Sequence, residues 1–396
     1  MSARAAPAIP DEVLEIARTL EAAGHEAWCV GGALRDALLG HPHSDYDFAT
    51  SATPAQVTAL FRRTAPVGEK YGTVGVLDRR RVLHEVTTFR RDVSTDGRHA
   101  VVAYGVSLDD DLARRDFTVN AIAYHPLRHE WRDPFGGRAD LERGLLRAVG
   151  RPGERFREDY LRILRGIRFA ARFGFTIEPE TWAAAIEASP GLAQLSAERV
   201  RDEWLKGLRT ARSVPELVAL WIQVGAAERW IPELASVPAD RLTAAGTVPE
   251  DQRDPILLTA LLLGDAAPTL RRLRVSNAEI ERAAAIARGP EVPAGEDARS
   301  VRRWLAATGR AADDLLHLRR LRHGTDEPWA EQVRQIRERR DPLSRADLAV
   351  TGVDLRALGA TGPRIGELLA ALLERVLDDP SLNRRDTLLA LAREMT

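Results

Sequence analysis

Asp45 and Asp47 are separated by one tyrosine in a run that continues Phe48-Ala49-Thr50. On a strand, residues two apart project from the same face. Two carboxylates so close repel and partly neutralise each other unless a divalent cation lies between them. Such an oxygen pair suits Mg²⁺, which takes one or two carboxylates plus substrate phosphates. Phosphoryl-transfer enzymes use that arrangement to clamp the attacking and leaving oxygens. Upstream lies Gly31-Gly32-Ala33-Leu34-Arg35-Asp36. Glycines between a strand and a helix let the backbone approach a ligand, and the helix start favours phosphate oxygens. Arg35, in the first helical turn, adds a forked cation for the same phosphates. The plain alternative is an exposed loop, His41-Pro-His-Ser-Asp-Tyr-Asp47, whose acids are merely solvated. The glycine pair and Arg35 favour the chemical reading.

A second group of candidates recurs at fixed spacing. Asp159, Arg162, Arg165 and Arg168 fall at every third residue of the stretch from Arg157 to Gly174. Ile163, Ile167 and Ala171 give that stretch an apolar stripe at i, i+4 and i+8, as an amphipathic helix requires. Charged residues three apart touch while their row slants around the helix. Read without further context, the row is a solvated Asp–Arg face. A third group is Arg114-Arg115-Asp116-Phe117-Thr118-Val119-Asn120-Ala121. On its own it reads equally as the basic end of a helix feeding a half-buried strand.

These residues need elements to hold them. Residues 11–23 have helical periodicity, Ala27-Trp28-Cys29-Val30 reads as a buried strand, and Ala33 to Leu39 reads as a helix stopping at Gly40 before Pro42. Thr53 is placed to cap a helix that has Pro54 at its first position. Residues 73–78 and 82–89 read as strands paired through Asp78-Arg-Arg-Arg81. In the second, Glu85 lies on an alternate face, either as a third metal carboxylate or in a cross-strand ion pair. Residues 90–105 read as irregular, and Asp133-Pro-Phe-Gly-Gly137 as a structural turn. At Gly150-Arg-Pro-Gly153 the composition shifts and strand signals almost vanish. Ser196 is placed as an N-cap, with Glu198 and Arg199 in structural roles. The chain from 211 to 288 reads as helical and 288–296 as a linker; the remainder, with Arg302-Arg303, Arg319 to Arg322 and Arg334 to Arg340, reads as a basic helical tail able to track an RNA backbone or, given the acids between them, as an ordinary solvated surface.

Bulk properties narrow the classes. At 396 residues the chain holds two to four domains, and 44% hydrophobic with 29% charged residues is ordinary for a globular protein. A net charge of −1 excludes a global nucleic-acid-binding signature, so RNA contact must use local patches. The single cysteine, Cys29, excludes an intrachain disulfide and a cysteine-rich zinc site. The start lacks the apolar run of a signal peptide and no segment reads as a membrane span, so a cytoplasmic enzyme is expected. The near-total preference for Arg over Lys is assigned to genome composition.

Gly31-Gly32-Ala-Leu-Arg35-Asp followed by Asp45-Tyr-Asp-Phe-Ala-Thr50 resembles the signature of the class II tRNA nucleotidyltransferase and bacterial poly(A) polymerase superfamily. The Arg114 to Ala121 run, the Asp159 row and Leu195-Ser-Ala-Glu-Arg199 are similar to later motifs of that family. The resemblance implies an α/β nucleotidyltransferase head of polymerase-beta-like type with a mixed sheet, followed by an all-α neck, body and tail. Placed on this chain, those are residues 1–150, 151–210, 211–290 and 291–396, the last two binding tRNA. The implied reaction adds CMP and AMP from CTP and ATP to the tRNA 3′ end, building C-C-A without a nucleic-acid template; no DNA or membrane partner is expected. Asp45 and Asp47 would be catalytic and hold Mg²⁺. Gly32, Arg35 and Arg115 would cradle the triphosphate, and Asn120 would orient the sugar. Asp159 and Arg162 would read the base, while Arg165 and Arg168 would serve the phosphates or brace Asp159. In the family, the loop at 90–105 usually carries an aromatic and a proline; here Thr95 and Ala100 stand in their place, a departure that bears on A addition. A-only, CC-only and poly(A) sister activities, a nucleotidyltransferase acting on a small molecule or protein, and a non-catalytic RNA-binding module are the competing readings.

Overall fold

The computed structural model describes residues 7–41, 46–67, 72–95 and 100–395. They divide into two compact units, 1–235 and 236–396. The first begins with helix α1 (Asp11–Ala22), strand β1 (Ala27–Val30) and helix α2 (Gly31–Leu39). Strand β2 (Asp47–Thr50), helix α3 (Pro54–Leu60) and strands β3 (Thr64–Ala65), β4 (Thr73–Leu77) and β5 (Leu83–Thr88) follow. A separate ribbon of β6 (Arg90–Thr95) and β7 (Ala100–Tyr104) leads into helix α4 (Leu108–Ala113). Next come β8 (Ala123–His125), β9 (Glu130–Arg132), helix α5 (Gly137–Arg143) and β10 (Leu145–Leu146). Helices α6 (Pro152–Glu158) and α7 (Leu161–Phe173), strand β11 (Thr176–Ile177) and helices α8 (Pro179–Ala188) and α9 (Ala197–Thr210) complete the part that builds the site.

Seven strands form one sheet in the order β3-β4-β5-β2-β1-β8-β9. It is mixed: β2 and β5 run parallel, and the other neighbours are antiparallel. β1 is buried along its whole length because both of its faces are covered. Ala27 and Cys29 join one apolar cluster with Phe48 and Val86, while Trp28 and Val30 join another with Ala49 and Leu112. The period of two places Asp47 on the same side of β2 as Ala49. α2 follows β1 without an intervening loop because Gly31 takes a positive φ of 81°, which a side chain would resist. The capping box of Thr53 and Gln56 starts α3 as expected.

Within 90–105, residues 90–95 and 100–104 are not irregular. β6 and β7 pair antiparallel, with Thr95 opposite Ala100 and a shift in register between Asp92 and Ser94. The polar run Arg90 to Thr95 lacks the apolar alternation of a half-buried strand, and the ribbon is a sheet of its own. The segment from α6 onward is stitched to the head by backbone. β10 pairs with β11, the Thr176 N–H donates to Gly144 O and the Glu178 N–H to Leu146 O, both at 2.9 Å.

The second unit is helical among the described residues. Pro255–Leu263 is apolar all round and buried, the mark of a helix inside a core. Residues 289–296 run between helices Asn277–Arg288 and Ala298–Thr308 without regular structure. The arginines expected to form a basic surface are mostly matched by acids. Arg302 is buried, bonded to the carbonyls of Leu377 and Asp378 and paired with Asp341. Arg319 pairs with Glu327, Arg322 with Glu291, Arg337 with Asp313 and Arg339 with Asp341. No helix among the described residues is long and apolar enough to cross a membrane.

Candidate active site

A cleft of about 490 Å³ in the first unit gathers residues from the β1–α2 turn, β2, the stretch after α4, α7 and α9. Gly32, Arg35, Asp47, Arg115, Asp159, Arg162, Arg165 and Arg168 all line it. Asp45 lies outside the described residues. Asp47 is the first residue of β2 and pairs with Val30, which sets it against Gly31. A Cβ on Gly31 would lie 3.0 Å from Asp47 Oδ2 and 3.5 Å from Arg115 Nη1, so the glycine keeps open the space between carboxylate and guanidinium. Burial, with the charge of Asp47 added, pushes the Cys29 thiol far up and keeps it protonated. Extending the Phe48–Val86 parallel register by one residue places Glu85, which is exposed, beside Asp47 on the neighbouring strand.

A row of charge-assisted bonds crosses the floor. Arg35 is buried; Nε and Nη2 donate to Asp36 Oδ1 at 2.8 and 2.7 Å, and Nη1 donates to Asn120 Oδ1 at 2.5 Å. Burial pulls this guanidinium below the usual arginine range, and the Asp36 charge opposes that. Asn120 Nδ2 donates to Asp116 Oδ1 at 2.9 Å, and Arg165 Nε donates to Asp116 Oδ2 at 2.7 Å. The Asn120 amide, which lines the cleft, is thus engaged at both ends as a spacer between Arg35 and Asp116. Arg115 is held by Asp111 at 3.1 Å, while its buried Nε has no partner among the described residues. Buried donors left unmatched point to a ligand that supplies the acceptor.

The other wall departs from the expected helix face. Asp159 is not helical: its φ of −157° and ψ of 104° break the chain between α6 and α7. The Tyr160 ring lies so close to Gly191 that no side chain would fit there. In this break Asp159 Oδ1 accepts the N–H of Leu161, the first residue of α7, at 3.0 Å, and Oδ2 accepts from Arg199 Nη2 at 2.7 Å. Arg199, read from the sequence as structural, therefore lines the cleft and holds Asp159, while Arg165 and Arg168, which line it too, are bonded to other acids. Arg168 Nε donates instead to Glu203 Oε2 at 2.6 Å. Arg162 donates to Glu158, to Arg155 O at 3.0 Å and to Arg114 O at 3.1 Å. Sequence reasoning also missed Arg114 and Arg172. Arg172 continues the row of α7 one turn beyond Arg168 and donates to Asp36 Oδ2 at 3.0 Å, a spacing that was visible.

Eight arginines and three aspartates line the cleft, an excess of cations suited to a polyphosphate. Burial alone would raise the Asp116 carboxyl, but the Arg165 charge and the bonds from Asn120 and the Phe117 N–H outweigh it and hold it at about 2, against 3.8 ordinarily. A depressed carboxyl gives stability that is full above its unfolded value and lost as pH falls through its folded one. In urea unfolding, the wild type is therefore expected to lose about 2 kcal/mol more than Asp116→Asn as pH drops from neutrality through about 2. Parallel loss in both proteins would contradict the pairing.

Residues 27–147 match the poly A polymerase head domain family, and 174–241 match the family described as the probable RNA and SrmB-binding site of polymerase A. The CCA-adding enzyme of Geobacillus stearothermophilus is 34% identical over 97% of this chain and 96% of its own length. That of Geobacillus kaustophilus (strain HTA426) is 36% identical over 97% and 96%. The crystal structure of the Bacillus stearothermophilus CCA-adding enzyme in complex with CTP superposes with a TM-score of 0.79 at 31% identity, covering 97% of each chain. The Thermotoga maritima CCA-adding enzyme complexed with tRNA-CCA shares the fold, with a TM-score of 0.63 at 18% identity over 98% of this chain and 95% of that one.

Proposed function

Given that the chain belongs to the CCA-adding enzyme family, we propose that it transfers CMP and AMP from CTP and ATP to the 3′ end of tRNA, building and repairing C-C-A without a template. The observation that carries this reading is the meeting, in one cleft, of Asp47, an array of arginines and the Asp159–Arg199 pair. A nucleotidyltransferase head of this kind works with a divalent metal, which in our reading is Mg²⁺. The residues fit it: Asp47 is half-buried at the head of its strand, and Gly31 leaves space beside Oδ2. Asp45 and Asp47 would hold the ion. When bound, it lowers the pKa of the attacking hydroxyl and offsets charge on the α-phosphate and leaving pyrophosphate.

The remaining work belongs to the chain itself. Gly32, Arg35 and Arg115 cradle the triphosphate, the unmatched Arg115 Nε among the donors, and Arg165 and Arg168 extend the cationic wall. Asp159 accepts from the exocyclic amino group of cytosine or adenine, and Arg162 donates to a ring nitrogen or carbonyl. Uracil O4 and guanine O6 are acceptors and meet the carboxylate with repulsion. The helical residues 151–210 present this base-reading wall, and 211–290 with 291–396 hold the tRNA by shape and phosphate contacts. The reaction is cytoplasmic in this reading.

The decisive experiment offers the full-length protein tRNAs ending before, within and after C-C-A, with one nucleotide at a time. Two C residues and then one A are the expected additions. Addition of A alone, of C-C alone or of an A tract would assign a sister activity instead. No transfer to any tRNA would overturn the reading.

A further inference from the structure

Four of the cleft's guanidiniums lie over two phenylalanine rings. Phe169 and Phe173, four apart on α7, stack with centroids 6.2 Å apart and planes at 20°. Arg35 sits 4.9 Å from the Phe169 centroid and 4.7 Å from that of Phe173. Arg168 and Arg165 approach Phe169 at 4.3 and 5.3 Å, and Arg172 approaches Phe173 at 4.8 Å. Each cation is also held by a carboxylate: Asp36 for Arg35 and Arg172, Asp116 for Arg165, and Glu203 for Arg168. The rings are fixed in turn, with Phe117 meeting Phe169 edge-on at 6.0 Å and Phe175 against Phe173 at 5.4 Å.

We infer that Phe169 and Phe173 are positioning residues for the nucleotide's phosphates, forming an aromatic spine that holds Arg35, Arg165, Arg168 and Arg172 together without consuming their hydrogen bonds. The inference rests on the nucleotide-binding reading of this cleft. Like charges this close repel, and the negative faces of the rings offset that repulsion. A ring face, unlike another carboxylate, takes no N–H. Among the described residues the hydrogen bonds of Arg165 and Arg168 use Nε, so both Nη groups of each stay available to phosphate oxygens. A carboxylate or amide in place of either ring would tie up those donors, and an aliphatic residue would leave the cations only their carboxylates as counterweight.

The test compares Phe169→Met, Phe169→Tyr and Phe173→Met with wild type by steady-state incorporation and by equilibrium CTP binding. Met keeps the bulk and removes the π face; Tyr keeps both. Phe169→Met is expected to raise KM for CTP and ATP, and Kd for CTP, by about tenfold, with kcat within about threefold. Phe169→Tyr should recover most of that loss, and Phe173→Met should weaken binding by about threefold. Binding unchanged in Phe169→Met, or an equal loss in the Tyr variant, would overturn the inference. If Phe169→Met melts too early to assay, the half-buried Phe173 decides the matter: unchanged CTP binding in Phe173→Met sinks the spine. Absence of tRNA extension by the wild type would count against the proposed function, while the CTP-binding comparison would still judge the rings.

Discussion

Asp47→Ala is expected to reduce nucleotide incorporation by about 10³-fold or more, the scale lost when charge stabilisation is removed from a reacting centre. The tRNA affinity of the variant should stay within about twofold of wild type, because binding energy for nucleic acid comes from phosphate contacts spread over a large surface. The reasoning is local. Asp47 heads β2, with its Oδ2 across the open space of Gly31 from Arg115. Alanine would leave the fold of β2 intact, since its pairing with β1 and β5 is backbone. It would leave the cleft with one fewer carboxylate among its arginines and a cation with only one of its two proposed carboxylates. Asp47→Asn separates charge from shape and should lose activity to a similar degree. Turnover retained in either variant, measured by CMP addition to a truncated tRNA, would contradict the assigned role.

Asp159 is expected to govern which base is accepted more than how fast it is joined. In Asp159→Asn the side chain gains an amide that donates, so it can satisfy uracil O4 or guanine O6 as readily as an amino group. Discrimination against UTP should fall by about 10²-fold or more, the range in which sites built on a buried hydrogen bond reject analogues. Asp159→Ala should relax choice as well, with an added stability loss. It removes the acceptor of the Leu161 N–H, a hydrogen bond worth about 1 kcal/mol, and deprives Arg199 Nη2 of its carboxylate. Single-nucleotide incorporation with each of the four triphosphates measures the effect. Unchanged selectivity would remove Asp159 from the base-reading role.

Much of the site could be read from residue order because its parts are local. A glycine pair after a buried strand, an arginine in the next helical turn and an aspartate at a strand start each follow from short-range rules. The architecture, a mixed-sheet head followed by helices, agrees with the expectation from the motifs. What escaped was set at a distance. Glu158-Asp159-Tyr160 has no breaker residue, so the interruption between α6 and α7 could not be seen; tertiary contacts, among them Tyr160 against Gly191, accompany it. Arg199 reaches Asp159 from another helix, and nothing in the spacing of charges announces such a pairing. The ribbon of β6 and β7 escaped because one strand is a polar run and the other a continuous apolar one, and neither alternates. Arg302 was misjudged for the opposite reason: an arginine in a basic run looks solvated until the carbonyls that bury it are known.

The shared carboxylate of Asp36 holds Arg35 from the head and Arg172 from α7, and Asp116 likewise reaches across to Arg165. The head and the helices that follow it are therefore not interchangeable cassettes. A hybrid gene spliced near residue 150 would inherit acids from one parent and their cations from the other. Its success would depend on whether both parents had kept the same pairings, whatever the merit of each half alone.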